Sequence, residues 1–221
     1  MVAAPSKWML DSLSHCFGKP KFASVVYNGR TPTLFNPHLS KHENALSVGR
    51  LWDFGKNAAL LNKINSPFPI YLAGSEQNPD REAVPSPSGT LGLYRHVYMK
   101  GVQSEAQLRQ LYARAAIYVA TSQYEPFGLA PLEAAFSRCA VVVSDIPSFH
   151  EIWGEDALYF ENNDPDSLQD VLTRLHAQPE LRAHYGNRAL QRATARYTST
   201  RMVDDYLALY QALIPAGVLA A

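Results

Sequence analysis

Residues 117–144 read IYVATSQYEPFGLAPLEAAFSRCAVVVS, and this stretch decides the fold. Two runs of almost continuous apolar residues, 117–120 and 140–144, predict buried strands. Between them a helix is predicted from about Leu129 to Phe136. Apolar strands that are separated by a helix are typical of a parallel sheet covered on both faces.

The same alternation extends through most of the chain. Five further strands are predicted, at residues 22–27, 45–48, 70–73, 97–99 and 157–160. Helices are predicted for AALLNKI at 58–64, after a capping box at 104–107, and in three segments beyond residue 160. The proline-rich stretch 75–92 is predicted to be a long surface loop. The predicted fold class is therefore α/β: a Rossmann-like parallel sheet with helices on both faces and a helical carboxyl-terminal tail.

Composition excludes several classes of protein. The 221 residues are 47% apolar, which is enough for a sizeable core and unlike a disordered chain. Lys plus Arg and Asp plus Glu are both 20, so the basic excess of a nucleic-acid binder is missing. The apolar runs are shorter than the roughly 18 residues of a membrane span. Two cysteines without a CxxC pair favour a reduced compartment, and a cytoplasmic location is predicted.

The first candidate segment is GRLWDFGKN, residues 49–57. Arg50 follows a predicted strand, and Lys56 comes six residues later, near a predicted helix start. Ligands of open parallel sheets bind at the carboxyl ends of strands. Two cations beside helix-start amides suit a diphosphate. The alternative is a solvated Arg and Lys on a surface turn.

The second candidate segment is YEPFGLAPLEA, residues 124–134. Glu125 is predicted in the loop after a strand, and Glu133 one or two turns into the following helix. Gly128 between them allows close backbone approach to a ligand. A carboxylate can accept from two neighbouring hydroxyls, as on a ribose or a hexose. An acidic first helix turn is the alternative, and it explains only one of the two glutamates.

These two segments resemble a known family. YEPFGLAPLEA is similar to the E-x7-E signature of retaining GT-B glycosyltransferases of the family 4 type, and GRLWDFGKN is similar to their phosphate-binding segment. SDIPSFHEIWGEDALYF at 144–160 falls in the family's order as well. The resemblance covers only the carboxyl-terminal, donor-binding half of a usual member. It implies a glycosyltransferase that takes a nucleotide-diphosphate sugar and transfers the sugar with retention.

The resemblance also implies a role for individual residues. Arg50 and Lys56 would neutralise the diphosphate and stabilise the leaving group, and Glu125 would hold hydroxyls of the donor sugar. Further donor-binding residues would be Gly49, Phe127, Gly128, Leu129 and Glu133, with Glu133 on the ribose. Met99 and Gln103 would border the base. Neither a metal nor a further cofactor is expected, because cations neutralise the phosphates.

Three further features of the sequence concern a departure from the family's pattern, an apparent metal motif and a histidine. Arg138 stands where the family has a helix-ending glycine, so the helix must end in another way. Asp164-Pro165-Asp166 imitates a DxD metal motif, but Asp164 is predicted to be a helix cap. His150 is predicted in a short loop after the strand at 140–144.

The domain organisation is also predicted from the resemblance. Residues 1–19 would be a strand end and helix left from the amino-terminal domain, 20–198 the nucleotide-sugar-binding domain, and 199–221 a terminal crossover helix and tail. The acceptor-binding domain would then be missing, or supplied by a partner chain, and any peripheral membrane contact would come through it. The alternatives are a non-catalytic nucleotide-sugar-binding subunit and another GT-B enzyme of the epimerase type.

Overall fold

A computed structural model of the chain describes residues 1–78 and 96–213. Its eight strands are β1 (Val2–Ala4), β2 (Ala23–Val25), β3 (His42–Val48), β4 (Ile70–Ala73), β5 (Val97–Gly101), β6 (Ala115–Ala120), β7 (Ala140–Ser144) and β8 (Leu158–Phe160). Its seven α-helices are α1 (Lys7–Phe17), α2 (Glu105–Arg114), α3 (Leu129–Phe136), α4 (Pro147–Trp153), α5 (Pro165–Ala177), α6 (Pro179–Arg196) and α7 (Ser199–Leu213). Three short 3-10 helices occupy Pro32–Leu34, Phe54–Lys56 and Ala58–Lys63.

The main sheet has six strands in the order β5-β4-β3-β6-β7-β8, and all neighbours are parallel. The chain adds β4 and β5 on one side of β3, then returns to place β6 on its other side. The order therefore reverses between β3 and β6, which is the topological switch point of the sheet. This confirms the predicted fold class.

Two apolar clusters cover the two faces of this sheet. Along β6 the side chains alternate between them: Tyr118 belongs to one cluster, and Ile117 and Val119 belong to the other. Trp153 is fully buried in the cluster of Tyr118, and Leu172 in the opposite cluster. Burial of both faces explains why the strand sequences are apolar without alternation.

Several predicted local features are confirmed. Asp164 caps α5 by accepting from the backbone N–H groups of Asp166 and Ser167, at 2.8 and 3.2 Å. The capping box at the start of α2 is present, with Ser104 and Gln107 bonded reciprocally. The helix before β7 ends on Arg138 in the left-handed conformation, with φ of 62°, in the place of the usual glycine.

Three predicted elements were wrong. The strand expected at 22–27 is only β2, and it pairs in parallel with β1 in a separate two-stranded sheet. The α-helix expected at 58–64 is a 3-10 helix, which follows Asn57 in the left-handed conformation. His150 lies within α4, where a loop was expected. Most of the predicted loop at 75–92 lies outside the described residues.

The two ends of the described chain meet the sheet domain at different places. A carboxylate of α4 caps the first turn of α1: Glu151 accepts from the N–H groups of Lys7 and Trp8 at 2.6 and 2.8 Å. Residues 29–31 lie against the start of α7: Arg30 forms a parallel bridge with Thr198, and the backbones touch at Gly29. In the described ranges, no helix combines the length and the apolar character that crossing a bilayer requires.

Candidate donor-binding site

A small recess that is open to solvent lies at the carboxyl ends of β3 and β6. This is the switch point, where ligands of open parallel sheets bind. The two candidate segments of the sequence both contribute to its wall. The lining residues include Ser47, Val48, Gly49, Leu51, Lys56, Ala58, Tyr118, Ala120, Thr121, Ser122, Glu125, Ala130 and Pro131.

The loop after β3 is held by its own backbone and by its neighbours. The N–H of Gly49 donates to the carbonyl of Ala73 at 3.0 Å. Gly74 lies so close that a Cβ there would be 1.7 Å from the carbonyl oxygen of Gly49. Further along the loop, Thr121 donates through its hydroxyl to the carbonyl of Lys56 at 2.8 Å. The backbone that carries Lys56 is therefore fixed against the loop after β6.

The structure brings Lys56 and Glu125 together. The Lys56 ammonium donates to a carboxylate oxygen of Glu125, and their side chains are 27% and 12% exposed. Arg50 is 63% exposed and pairs instead with Asp53 at 2.7 Å, while its guanidinium lies 5.4 Å from the Trp52 ring centroid. Each of the two predicted phosphate-binding cations thus has a carboxylate partner within this pair of loops.

Gly128 shapes the start of α3 beside the recess. Its φ is 89°, and an added Cβ would lie 2.8 Å from Pro131 and 3.4 Å from the Glu125 side chain. As the N-cap of α3 it offers no side-chain acceptor to the first N–H groups of the helix. Helix N-termini attract anions, so this end is available for a phosphate or a sugar oxygen. Leu129 is 44% exposed at the first helical position.

Glu133 lies in a different environment from Glu125. Its side chain is 14% exposed, and the Nε of Arg30 is 2.8 Å from its Oε1. Burial raises the pKa of the Glu133 carboxyl, and Arg30 and Tyr112 act in the opposite direction. The sequence reasoning missed Arg30, because no pattern relates it to a residue 103 positions later; the Asn28-Gly29 turn was the only local signal.

Three further predicted donor-binding residues, Phe127, Met99 and Gln103, are not among the residues that line the recess. Phe127 is 2% exposed and packs against Tyr197 with ring centroids 5.4 Å apart, so its side chain belongs to the core. Met99 packs against the apolar cluster that contains Ile117 and Val119. Gln103 donates through Nε2 to the carbonyl of Lys100 at 2.5 Å, within its own turn. A base-binding role for Met99 and Gln103 stays a prediction.

His150 contacts one carboxylate and one aromatic ring. His150 lies 2.6 Å from Asp145 and stacks on Tyr159, with ring centroids 4.1 Å apart. Within residues 1–78 and 96–213, no group of three His, Cys, Asp or Glu residues is arranged to hold a metal ion.

The parallel sheet and the switch-point recess define the class of the fold: a Rossmann-like α/β domain. The solved structure of HepE from Anabaena in complex with UDP-glucose superposes on 96% of this chain with a TM-score of 0.81, at 17% identity. The family described as "Glycosyl transferases group 1" matches residues 45–192, more than half of the chain. The chain belongs to this family of glycosyltransferase enzymes.

Two curated relatives carry glycosyltransferase names. The O-antigen chain mannosyltransferase RfbU of Salmonella typhimurium is 35% identical over 105 residues, which is 46% of this chain and 28% of the relative. The uncharacterized glycosyltransferase MJ1607 of Methanocaldococcus jannaschii is 25% identical over 95% of this chain and 59% of its own length. HepE is covered over 64% of its chain. The chain therefore spans less than two thirds of the length of each.

Proposed function

We propose that this chain is the donor-binding part of a retaining glycosyltransferase of the family 4 type. It would bind a nucleotide-diphosphate sugar in the recess and act on an acceptor held by a further domain or a partner chain. The observation that carries the proposal is the meeting of Lys56 and Glu125 in the switch-point recess, next to the uncapped start of α3. One ligand that would use all three groups is a diphosphate joined to a sugar.

The charges suggest how each part of the donor would be held. The ammonium of Lys56 and the N–H groups at the start of α3 would receive the diphosphate, with Arg50 closing over it from the exposed side. Glu125 would accept from the sugar hydroxyls and Glu133 from the ribose. Preorganised cations and helix dipoles stabilise charge that develops on a leaving group. The same groups would thus favour cleavage of the glycosidic bond without a metal ion.

The comparisons support a sugar nucleotide as the ligand. HepE is described in complex with UDP-glucose, and RfbU is named a mannosyltransferase. A cytoplasmic location is part of the proposal, because Cys16 and Cys139 are both free thiols. The proposed domain limits stay at 1–19, 20–198 and 199–221.

Calorimetry with UDP, GDP, UDP-glucose and GDP-mannose tests the proposal directly. A charge-assisted hydrogen bond contributes about 1.5–3 kcal/mol. Arg50→Ala should therefore lower the affinity for whichever sugar nucleotide binds more tightly by roughly 10- to 150-fold. Arg174→Ala, an exposed arginine in the last turn of α5, is the matched control and should bind like the parent. Equal affinity of the Arg50→Ala variant and the parent would contradict the assignment of Arg50.

The isolated chain should bind donor but transfer sugar slowly or not at all. Holding donor and acceptor together supplies about 7–11 kcal/mol of a barrier, and this chain provides one wall of such a site. The measurement is turnover with saturating donor and a panel of acceptors. A rate in the usual enzymatic range of roughly 1–10³ per second from a proven monomer would show that no further domain is needed.

A further inference from the structure

The ion pair between Lys56 and Glu125 occupies the place that the proposed function gives to the donor. The two side chains come from different loops, 69 positions apart, and both line the recess. The Glu125 side chain is 12% exposed, so most of it is shielded from solvent. In contrast, the Arg50 side chain of the Arg50–Asp53 pair is 63% exposed, so solvent screens that pair.

A phosphate that approaches Lys56 therefore meets a cation already neutralised. It must compete with Glu125 for the ammonium, and its own negative charge repels the carboxylate. The hydrogen bond from Thr121 to the Lys56 carbonyl restrains the backbone there, so Lys56 follows the phosphate mainly by moving its side chain. Removing one member of a shielded ion pair leaves the other charge without compensation, which is costly.

The cost differs between a sugar nucleotide and a free nucleoside diphosphate. A sugar attached to the diphosphate brings hydroxyl groups that can donate to Glu125 and replace the ammonium. A free nucleoside diphosphate brings no such donor, so Glu125 would remain unpaired next to a phosphate. Discrimination of this kind comes from leaving a shielded polar group without a partner in the wrong complex.

We propose that the Lys56–Glu125 ion pair is a specificity device, which must be exchanged for phosphate and sugar contacts and so favours the intact donor over the nucleoside diphosphate product. Glu125 is then more than a sugar-binding carboxylate: it opposes product binding through Lys56. This inference rests on the proposed function. It also provides a reason for the product to leave after transfer.

The test is calorimetry on the full chain with UDP and UDP-glucose, and with GDP and GDP-mannose. Glu125→Gln frees the Lys56 ammonium, so it should bind the nucleoside diphosphate about three- to tenfold more tightly than the parent. The same variant should bind the sugar nucleotide more weakly. In a Lys56→Gln background the Glu125→Gln change should bring a smaller gain for the nucleoside diphosphate, because it relieves only the repulsion between carboxylate and phosphate and frees no ammonium.

Controls separate this effect from loss of structure. Glu180→Gln makes the same chemical change at an exposed position in α6 and should leave both affinities at the parent values. Far-UV circular dichroism verifies folding of each variant. If Glu125→Gln does not fold, Glu125→Ala replaces it, and it too should bind the nucleoside diphosphate more tightly than the parent.

Two outcomes overturn different statements. If the parent binds sugar nucleotide but the Glu125 variants bind nucleoside diphosphate no more tightly than the parent, the exchange is refuted and the proposed function stands. If the parent binds none of the four ligands, the proposed function falls, and this inference falls with it.

Discussion

Gly74→Ala should destabilise the chain severely, because Gly74 crosses the backbone of Gly49 at contact distance. The added Cβ would lie 1.7 Å from the Gly49 carbonyl oxygen, so restoring even 3.0 Å requires the two backbones to separate by about 1.3 Å. Flanking hydrogen bonds of 3.0 Å, from Gly49 to Ala73, and 2.9 Å, from Gly74 to Gly101, cannot survive that separation.

The structure also sets the magnitude. Each of the two broken hydrogen bonds costs about 1–3 kcal/mol, and Gly74 has φ of 145°, which adds about 1–3 kcal/mol of strain for alanine. The sum, about 3–9 kcal/mol, is comparable with the whole stability of about 5–15 kcal/mol of a typical protein. At about 2–4 °C per kcal/mol, Tm should fall by about 6–36 °C.

Thermal unfolding followed by circular dichroism measures this effect, and Gly101→Ala is the matched control. Gly101 has φ of 65° but nothing within 4 Å of an added Cβ, so its substitution costs only the backbone strain of about 1–2 kcal/mol. If Gly74→Ala unfolds at the same temperature as Gly101→Ala, the close crossing of the two strand ends does not exist as described.

Three further predictions concern a helix cap, a buried carboxylate and metal ions. Glu151→Ala should lower the free energy of unfolding by about 1–2 kcal/mol and speed amide hydrogen exchange at Lys7 and Trp8, because their N–H groups lose their acceptors. The control is Glu155→Ala, which changes an exposed glutamate. Unchanged exchange at Lys7 and Trp8 in Glu151→Ala would contradict the capping role of Glu151. Burial raises the pKa of the Glu133 carboxyl above its usual 4.5, so this group binds more protons in the folded chain than in the unfolded chain. The free energy of unfolding of the parent should therefore fall, relative to that of Glu133→Gln, as the pH rises from below 4.5 through the raised pKa. Urea unfolding of both proteins between pH 4 and 7 checks this sign, and a difference that is constant with pH would refute it. Chelation with EDTA should change the affinity for sugar nucleotide by less than about tenfold, measured by the same calorimetry; a larger loss would show that a metal takes part.

The central unit of the fold could be predicted from local sequence because its signals agree with one another. The apolar run at 140–144 and the helix at 129–136 match β7 and α3. Both elements are buried and therefore apolar, and this composition distinguishes them from the more polar loop at residues 121–128, between β6 and α3. The two candidate segments were both expected at the carboxyl ends of strands, where ligands of open parallel sheets bind, but the pairing of Lys56 with Glu125 was not itself predicted.

Features that depend on distant partners could not be predicted. The six residues Ala58–Lys63 have a helical composition, but four of them are buried and the segment adopts the tighter 3-10 geometry. α4 has only seven residues and no side-chain cap, so it left no periodic pattern. The pairing of Arg30 with Glu133 joins residues that nothing in the intervening sequence connects.

The bridge between Arg30 and Thr198 has a consequence for the order in which the chain folds. The hydroxyls of Thr31 and Ser199 beside it are 2.9 Å apart, although they are 168 positions apart in sequence. Closing a flexible loop of that length costs about 4.6 kcal/mol of chain entropy before any contact repays it. We therefore expect this junction to close only after the parallel sheet has brought its two sides together. During synthesis the recess residues emerge well before α7, so the site can take shape while α7 is still being made.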